Sequence, residues 1–381
     1  MNIVLNFVPL KSGGGVQVGL DFIEQLRRSG KRHQWFLVAT EGTPLSRTQE
    51  CRHLQVVKKV GNSIWSRLWF EYFGCRNLTA NLKADLVYTQ FGPQWPGASV
   101  INIVGCAYSN LFYPEIDFWG RLPFLKRVAR ICVDVMRMSR LRRAHHVIFE
   151  TEDLAQRAVS LTGLKAERVS WVKPSISSLV ALDKMHAPTR ELFEALPPGF
   201  KVLLLSTYNP NKNIELLPHI ANALRERDPY NDVLFVITLP PRSGDLERIM
   251  RAARELGIEK RIANVGPIQH EGCSEAYRAT DLVILPSQLE SFSNTIAEAW
   301  TMQRPLLISD MDWARSLCGT GAAYFQYRDP QSAAEQIIRL RSDVGYYRNL
   351  VAEGERMLHT YPLPVDRFRQ YLSIIEQYGP H

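Results

Sequence analysis

The chain has no run of eighteen or more apolar residues, so nothing in its 381 residues reads as a membrane-spanning helix. Its six cysteines, at positions 51, 75, 106, 132, 273 and 318, are scattered and form no C-x-x-C pair. That pattern argues against a disulfide framework and a zinc site, and fits reduced thiols in a cytoplasmic protein. Residues 1–8 carry no basic stretch and no cleavage site, and read as a first strand rather than a signal peptide. There is no internal repeat, no low-complexity tract and no G-x-G-x-x-G, so a dinucleotide fingerprint is missing too. His145, His146 and His270 lack metal-ligand spacing with other His or Cys, and the segments expected to face a ligand hold no D-x-D pair. A site that works without a metal or other cofactor is the expectation.

What is present is an uneven charge. Residues 1–180 hold 24 Lys and Arg against 13 Asp and Glu, a balance of +11; the remainder hold 22 against 25, a balance of −3. A basic half implies an anionic partner: nucleic acid, an acidic membrane surface or a phosphorylated acceptor. The basic residues are not interleaved with aromatics along a strand face, which weakens the nucleic-acid reading. Eight of them fall within residues 121–143 beside a single acid, and apolar residues recur there at helical spacing. Such a helix can lie on an anionic membrane. It can equally pack its apolar side into a core and solvate the basic one. Trp65, Trp69, Phe70 and Tyr72, close to Arg67, offer a second interfacial contact, though core packing is the expectation for them.

Hydrophobic content of 45% is ordinary for a globular chain, and the length allows two domains. In the first 180 residues, strand patterns over 2–8, 34–39, 54–60, 85–89, 99–104, 146–150 and 169–172 alternate with helical ones over 16–28, 64–82, 122–144 and 153–162. This alternation predicts a doubly wound α/β sheet. A proline-bearing stretch over 185–199 reads as a connection. A second alternating set follows, from 201 to 310, and the segment 346–378 reads as helices broken near Pro362 and Pro364. The expected divisions are an N-terminal domain over 1–184, a C-terminal one over 185–360, and a final helix within 361–381.

The most informative stretch runs Pro286-Ser-Gln-Leu-Glu290-Ser-Phe-Ser-Asn-Thr-Ile-Ala-Glu298. It lies between the apolar runs Asp281-Leu-Val-Ile-Leu285 and Arg304-Pro-Leu-Leu-Ile-Ser-Asp310. Strand, polar turn, helix, strand is a βαβ unit, and ligands bind such sheets at the carboxyl ends of the strands. Ser293 or Asn294 is placed to cap a helix over about 295–302. The free amides of that first turn, including Thr295, would suit a phosphate. Glu290 would stand just outside the helix and Glu298 one turn inside it, each a bidentate acceptor fit for sugar hydroxyls. Spacing alone leaves two solvated surface glutamates as the plain alternative; the order of the flanking elements favours a site. Ser12-Gly13-Gly14-Gly15, between a first strand and a helix, lets backbone amides approach a ligand, or is simply a turn.

The Glu290-to-Glu298 element resembles the E-x7-E element of the family-4 retaining glycosyltransferases of GT-B fold. Lys201-Val-Leu-Leu-Leu-Ser-Thr-Tyr-Asn-Pro-Asn-Lys212-Asn213 resembles that family's strand and loop ending in a phosphate-binding lysine. Val265-Gly266-Pro-Ile268, Ala279-Thr-Asp-Leu-Val-Ile-Leu-Pro-Ser287 and the glycines at 13–15 fall in the family's order. The match is strongest over about 200–330 and colinear but weaker over the first 180 residues. The resemblance implies two Rossmann-like domains facing a cleft and transfer of a hexose from a GDP- or UDP-linked donor, without a metal. The implied acceptor is a glycan, lipid-linked, in cell-surface polysaccharide or O-antigen synthesis. It places Glu290 at the transferred sugar, as catalytic group or as positioner, and Lys212 at the leaving diphosphate. Glu298 falls at the ribose hydroxyls, with Ser293, Asn294, Thr295, Gly266, Thr207 and the amides of Gly14 and Gly15 around the donor.

Two departures stand out. Many members carry Gly-Arg where this chain has Ser206-Thr207. The run 101–110, where relatives supply a histidine, has none, and leaves Tyr108, Ser109 and Asn110 as candidates for sugar or acceptor contacts. The variant Tyr208-x-Pro210-x-Lys212-Asn213 resembles a bacterial polysaccharide mannosyltransferase branch. The expected location is the cytoplasm, and the basic helix with a lipid-linked acceptor would allow peripheral association with the inner face of the cell membrane. The rivals are a nucleotide-sugar epimerase-like enzyme and a non-catalytic protein that binds nucleotide sugars or other anions.

Overall fold

The computed structural model describes residues 1–11, 13–29, 32–120, 122–176 and 180–379. The chain divides into two compact units, Met1–Ser175 with Pro362–His381, and Ile176–Tyr361.

The first unit is built on seven parallel strands: β1 (Asn2–Phe7), β2 (Gln34–Thr40), β3 (Leu54–Val60), β4 (Leu86–Thr89), β5 (Ile101–Cys106), β6 (His146–Phe149) and β7 (Val169–Trp171). Their order is β3-β2-β1-β4-β5-β6-β7. Strands covered on both faces must be apolar throughout rather than alternating, and β4 and β6 are buried at every residue. The helix Gly13–Ser29 buries Phe22, Ile23 and Leu26 against this sheet. The last helix, Pro364–Glu376, joins the same core: Phe368 and Tyr371 pack around Phe22 at ring distances of 5.1 and 6.0 Å.

The second unit has six parallel strands: β8 (Lys201–Leu204), β9 (Leu234–Ile237), β10 (Ile262–Asn264), β11 (Leu282–Leu285), β12 (Leu306–Asp310) and β13 (Ala323–Gln326), in the order β10-β9-β8-β11-β12-β13. In each sheet the chain first winds one way and then reverses. The reversal falls between β1 and β4 in one unit and between β8 and β11 in the other. A parallel sheet opens a crevice for ligands at such a switch point, on the carboxyl side of the strands.

Several elements lay outside the sequence expectations. The stretch 185–199, read as a connection, contains the helix Ala187–Glu194, with Pro188 in its first turn and His186 accepting a hydrogen bond from the Thr189 amide. The proline that reads as a breaker is here a starter, because its missing N–H costs nothing in the first turn. Pro330, behind an Asp329 cap, opens the helix Pro330–Ser342 in the same way. The expected helix over 64–82 is one continuous rod, Ile64–Trp69, Phe70–Gly74 and Cys75–Asn81, with a wide π turn in its middle.

The helix Asn294–Thr301 is anchored from behind by Trp300. The indole donates to the Gly321 carbonyl at 2.8 Å and packs against Gly354 of the helix Val344–Leu358. A β-carbon on Gly354 would sit 2.4 Å from Trp300 Cδ1. Gly354→Ala is therefore expected to destabilise the protein by about 1–3 kcal/mol through overpacking, despite alanine's better helix propensity. Denaturant unfolding measures this, and an unchanged midpoint would refute the packing account.

Candidate active site

The switch point of the second sheet fixes the site. β8 and β11 are direct neighbours, with Val202 beside Leu282 and Leu203 beside Val283. The loops that leave their carboxyl ends, 205–213 and 286–293, therefore emerge side by side. Asn211 stitches them together: its carbonyl accepts from the Gln288 amide at 2.7 Å and its side-chain amide donates to the Leu289 carbonyl at 2.9 Å. Trp313 holds the second loop from the far side, donating to the Gln288 carbonyl at 3.1 Å. Asn213 then turns the chain in the left-handed region, φ 52° and ψ 39°, where asparagine is tolerated better than most residues.

This stitching brings Lys212 and Glu290 together, 78 positions apart in sequence. Lys212 Nζ lies 2.6 Å from Glu290 Oε1. The carboxylate is buried and the ammonium half-buried. Glu298, on the helix Asn294–Thr301, is partly buried, and Tyr277 donates to its Oε2 at 2.7 Å. Burial raises the Glu298 carboxyl above its usual range, opposed by the Tyr277 hydroxyl and then by His270. Cys273 stands near. Burial and the carboxylates Glu298 and Glu271 push its thiol up to about 12, so it stays protonated and is no nucleophile.

Ser293 occupies the cap position of the helix but makes no side-chain capping hydrogen bond. The first turn, with Asn294 and buried Thr295, is thus not closed by its own cap. Thr207 is exposed on the loop after β8, next to Ser206, whose amide donates to Thr238 Oγ1 at 3.1 Å. Tyr208 donates to Glu215, and Arg248 lies over its ring. Gly266 follows β10 with φ +79°, a conformation that calls for glycine.

In the first unit, Gly14 and Gly15 lie in the first turn of the helix Gly13–Ser29, and Gly13 has φ +62°. Ser12 lies outside the described residues. Tyr108, Ser109 and Asn110 follow β5 in a tight turn, and each is engaged locally or enclosed. Arg137 covers the Tyr108 ring at 4.2 Å, Ser109 is buried, and Asn110 donates to Asp134 at 2.7 Å.

The sequence reading passed over Tyr277 and Asn211. No spacing rule marks Tyr277; the Asn209-Pro-Asn-Lys turn could have flagged Asn211 as a stitching residue. One D-x-D spacing occurs in the chain, Asp310-Met311-Asp312 at the end of β12. Asp310 is held by Arg315 at 2.7 and 2.8 Å. Among the described residues, no three His, Cys, Asp or Glu side chains cluster as metal ligands would. All six cysteines are free.

Residues 199–343 match the family described as glycosyl transferases group 1. The chain is 27% identical over 196 residues to a D-inositol 3-phosphate glycosyltransferase of Nocardia farcinica. That match covers 51% of this chain and 44% of the relative, so the chain spans under half the length of that curated protein. Among solved structures it resembles a sucrose-phosphate synthase from Thermosynechococcus elongatus, with a TM-score of 0.75 at 15% identity over 99% of this chain and 98% of the other. It also resembles the Anabaena protein Alr3699/HepE solved with UDP-glucose, with a TM-score of 0.71 at 16% identity over 99% and 100%. Two doubly wound parallel sheets, each with its own switch point, and this likeness over nearly the whole chain identify the fold as GT-B.

Proposed function

We propose that the protein is a glycosyltransferase that moves a hexose from a nucleoside diphosphate sugar to an acceptor, with retention at the anomeric carbon. The observation that carries this reading is the Lys212–Glu290 pair at the switch point, with Glu298 on the adjoining helix. In the transfer, the bond between the anomeric carbon and the diphosphate oxygen breaks, and its electrons leave with the diphosphate. The acceptor oxygen bonds to the same face of that carbon, and its proton passes to the departing phosphate. Lys212 offsets the charge that collects on the diphosphate, together with the first-turn amides of Asn294 and Thr295. Glu290 accepts from the sugar's hydroxyls and faces the positive charge growing at the anomeric carbon. Glu298 accepts from the ribose. Gly266 and Thr207, on loops of the same unit, complete the donor contacts. With a lysine supplying the cation, the reaction runs without a metal.

The acceptor we propose is a lipid-linked glycan at the inner face of the cell membrane, in synthesis of a cell-surface polysaccharide such as an O-antigen. The basic first 180 residues support an acceptor that carries phosphate. A second reading, a soluble sugar or polyol phosphate, is favoured by the relative named for D-inositol 3-phosphate. Radiolabelled donor separates them: product that partitions into butanol is lipid-linked, and product that stays in water is not.

The donor site is tested by thermal shift with UDP, GDP, ADP and their sugars, with and without EDTA. A ligand at 100 times its Kd stabilises by about 2.7 kcal/mol. One nucleoside diphosphate should shift the melt, insensitive to EDTA, and Glu298→Ala should abolish the shift. Silence from all of them would remove the donor-site assignment, and binding without turnover would favour a non-catalytic protein. Lys212→Gln is expected to lower kcat about 10²–10³-fold, the usual cost of losing one preorganised charge partner. Unchanged turnover would exclude Lys212 from the chemistry.

Glu298 also makes a stability prediction. Its carboxyl is raised in the folded state, so its contribution is fully present below the ordinary value of 4.5 and is lost as pH rises through the folded value. At neutral pH the buried charge works against folding. Glu298→Gln keeps an acceptor for Tyr277 and removes that charge. It is expected to melt higher than the parent at pH 7 and equally at pH 4, while binding nucleotide more weakly. A lower melt at pH 7 would contradict this account.

A further inference from the structure

The expectation of core packing for Trp65, Trp69 and Tyr72 fails. Phe70 is buried, but Trp65 is 77% exposed, Trp69 63% and Phe73 67%, and Ile64 and Tyr72 are also open to solvent. Along the helix Phe124–Arg142, Phe124, Val128, Ile131 and Val135 recur at i, i+4, i+7 and i+11, which is one face of a helix. All four are exposed, as is Leu125. Large apolar side chains gathered in this way mark an interaction surface. The two helices are neighbours: Arg140, on the buried side of the second, donates to Glu71 at 2.6 Å and to the Tyr72 hydroxyl at 3.1 Å.

We propose that this two-helix face of the first unit docks on an anionic bilayer. The charge pattern selects that occupant. Residues 64–81 and 124–142 contain only two acids, Glu71 and Asp134. Glu71 is clasped by Arg67 and Arg140 at 2.6 Å each. Asp134 accepts from Asn110, Trp119 and Arg137 at 2.6–3.0 Å. Lys126, Arg76 and Arg143 are exposed and form no ion pair among the described residues, and Arg130 lies over Trp119. The two helices therefore carry bare apolar and indole groups together with uncompensated positive charge. That combination suits an interface where rings settle among headgroups and cations meet anionic lipid. A protein partner or a second copy of this chain would need acids facing these cations, and this surface offers a second copy none.

The proposal rests on the lipid-linked reading of the acceptor for its purpose, but its test needs neither donor nor acceptor. The full chain is sedimented with vesicles of phosphatidylcholine alone and with roughly one-third phosphatidylglycerol. Binding is expected to be at least about tenfold tighter to the anionic vesicles and to weaken as salt rises. Trp65→Ser with Trp69→Ser, and separately Phe124→Ser with Val128→Ser, should each weaken binding about tenfold or more. Lys126→Glu with Arg130→Glu should remove the preference for anionic lipid. All these positions are exposed, and an unchanged melting temperature verifies that each variant folds. Failure to sediment with anionic vesicles overturns the proposal, as does sedimentation that the apolar substitutions leave unchanged. A dimer in analytical ultracentrifugation that the Trp65/Trp69 variant dissolves would also overturn it. Vesicle binding without any nucleotide shift would keep this face and sink the donor site; a shift without vesicle binding would do the reverse.

Discussion

A lysine and a glutamate 2.6 Å apart, brought from loops 78 positions apart, are the constraint on which the proposed chemistry depends. Such a pair is a weak source of stability, because desolvating two charges costs about as much as their attraction returns. Its value lies in placement. β8 and β11 must be neighbours for the two loops to meet, and the parallel order β10-β9-β8-β11-β12-β13 makes them so. Asn211 then fixes the loops with two hydrogen bonds that do not involve either charge. A ligand carrying both an anion and a developing cation can exchange partners with the pair without reorganising the backbone. Charges that are already in place cost least at the moment of reaction.

The short helix Asn294–Thr301 serves fold and site at once. Glu298 and Trp300 are two residues apart, roughly 200° around the helix, so they face opposite ways. The indole is locked behind by Gly354 and the Gly321 carbonyl, and the carboxylate is held in front by Tyr277. A helix of two turns would be marginal by itself. Held on both sides, it presents a carboxylate whose orientation is fixed by packing. The raised Glu298 carboxyl is the counterpart of that rigidity: a group buried for placement loses hydration for its charge.

Much of this was legible in the sequence, and the physical reasons are specific. Leu282 to Leu285 is apolar without alternation because both faces of a parallel strand are covered, and the polar turn that follows can only sit at the carboxyl edge. Thus Glu290 and Glu298 could be singled out before any coordinates, and Lys212 through its resemblance to the family's phosphate-binding lysine. Tyr277 could not, since its role depends on where the helix Cys273–Arg278 lies rather than on spacing. The helix Ala187–Glu194 was hidden by a proline whose effect reverses between a first turn and an interior. The sequence predicts a helix over 64–82 with its aromatics packed in the core. Periodicity gives a stripe but not which side meets the core, and the π turn at Phe70–Gly74 shifts the register midway. Phe70 therefore turns inward while Trp69 and Phe73 turn out.

The two units also divide the electrostatic work differently. In the second, a near-neutral balance leaves Lys212 to act as a single placed cation beside a carboxylate. In the first, an excess of +11 is spread over the unit, and six of its cations lie on one helix, Phe124–Arg142, whose own acid is enclosed. A placed charge acts over one hydrogen-bond length and is little affected by salt. A spread charge acts out to about 8–10 Å at ordinary ionic strength and weakens steadily as salt is added. The first suits a diphosphate that must be held in one geometry. The second suits an anionic surface that must only be approached, with the exposed rings of Trp65, Trp69 and Phe124 left to fix the contact once it forms.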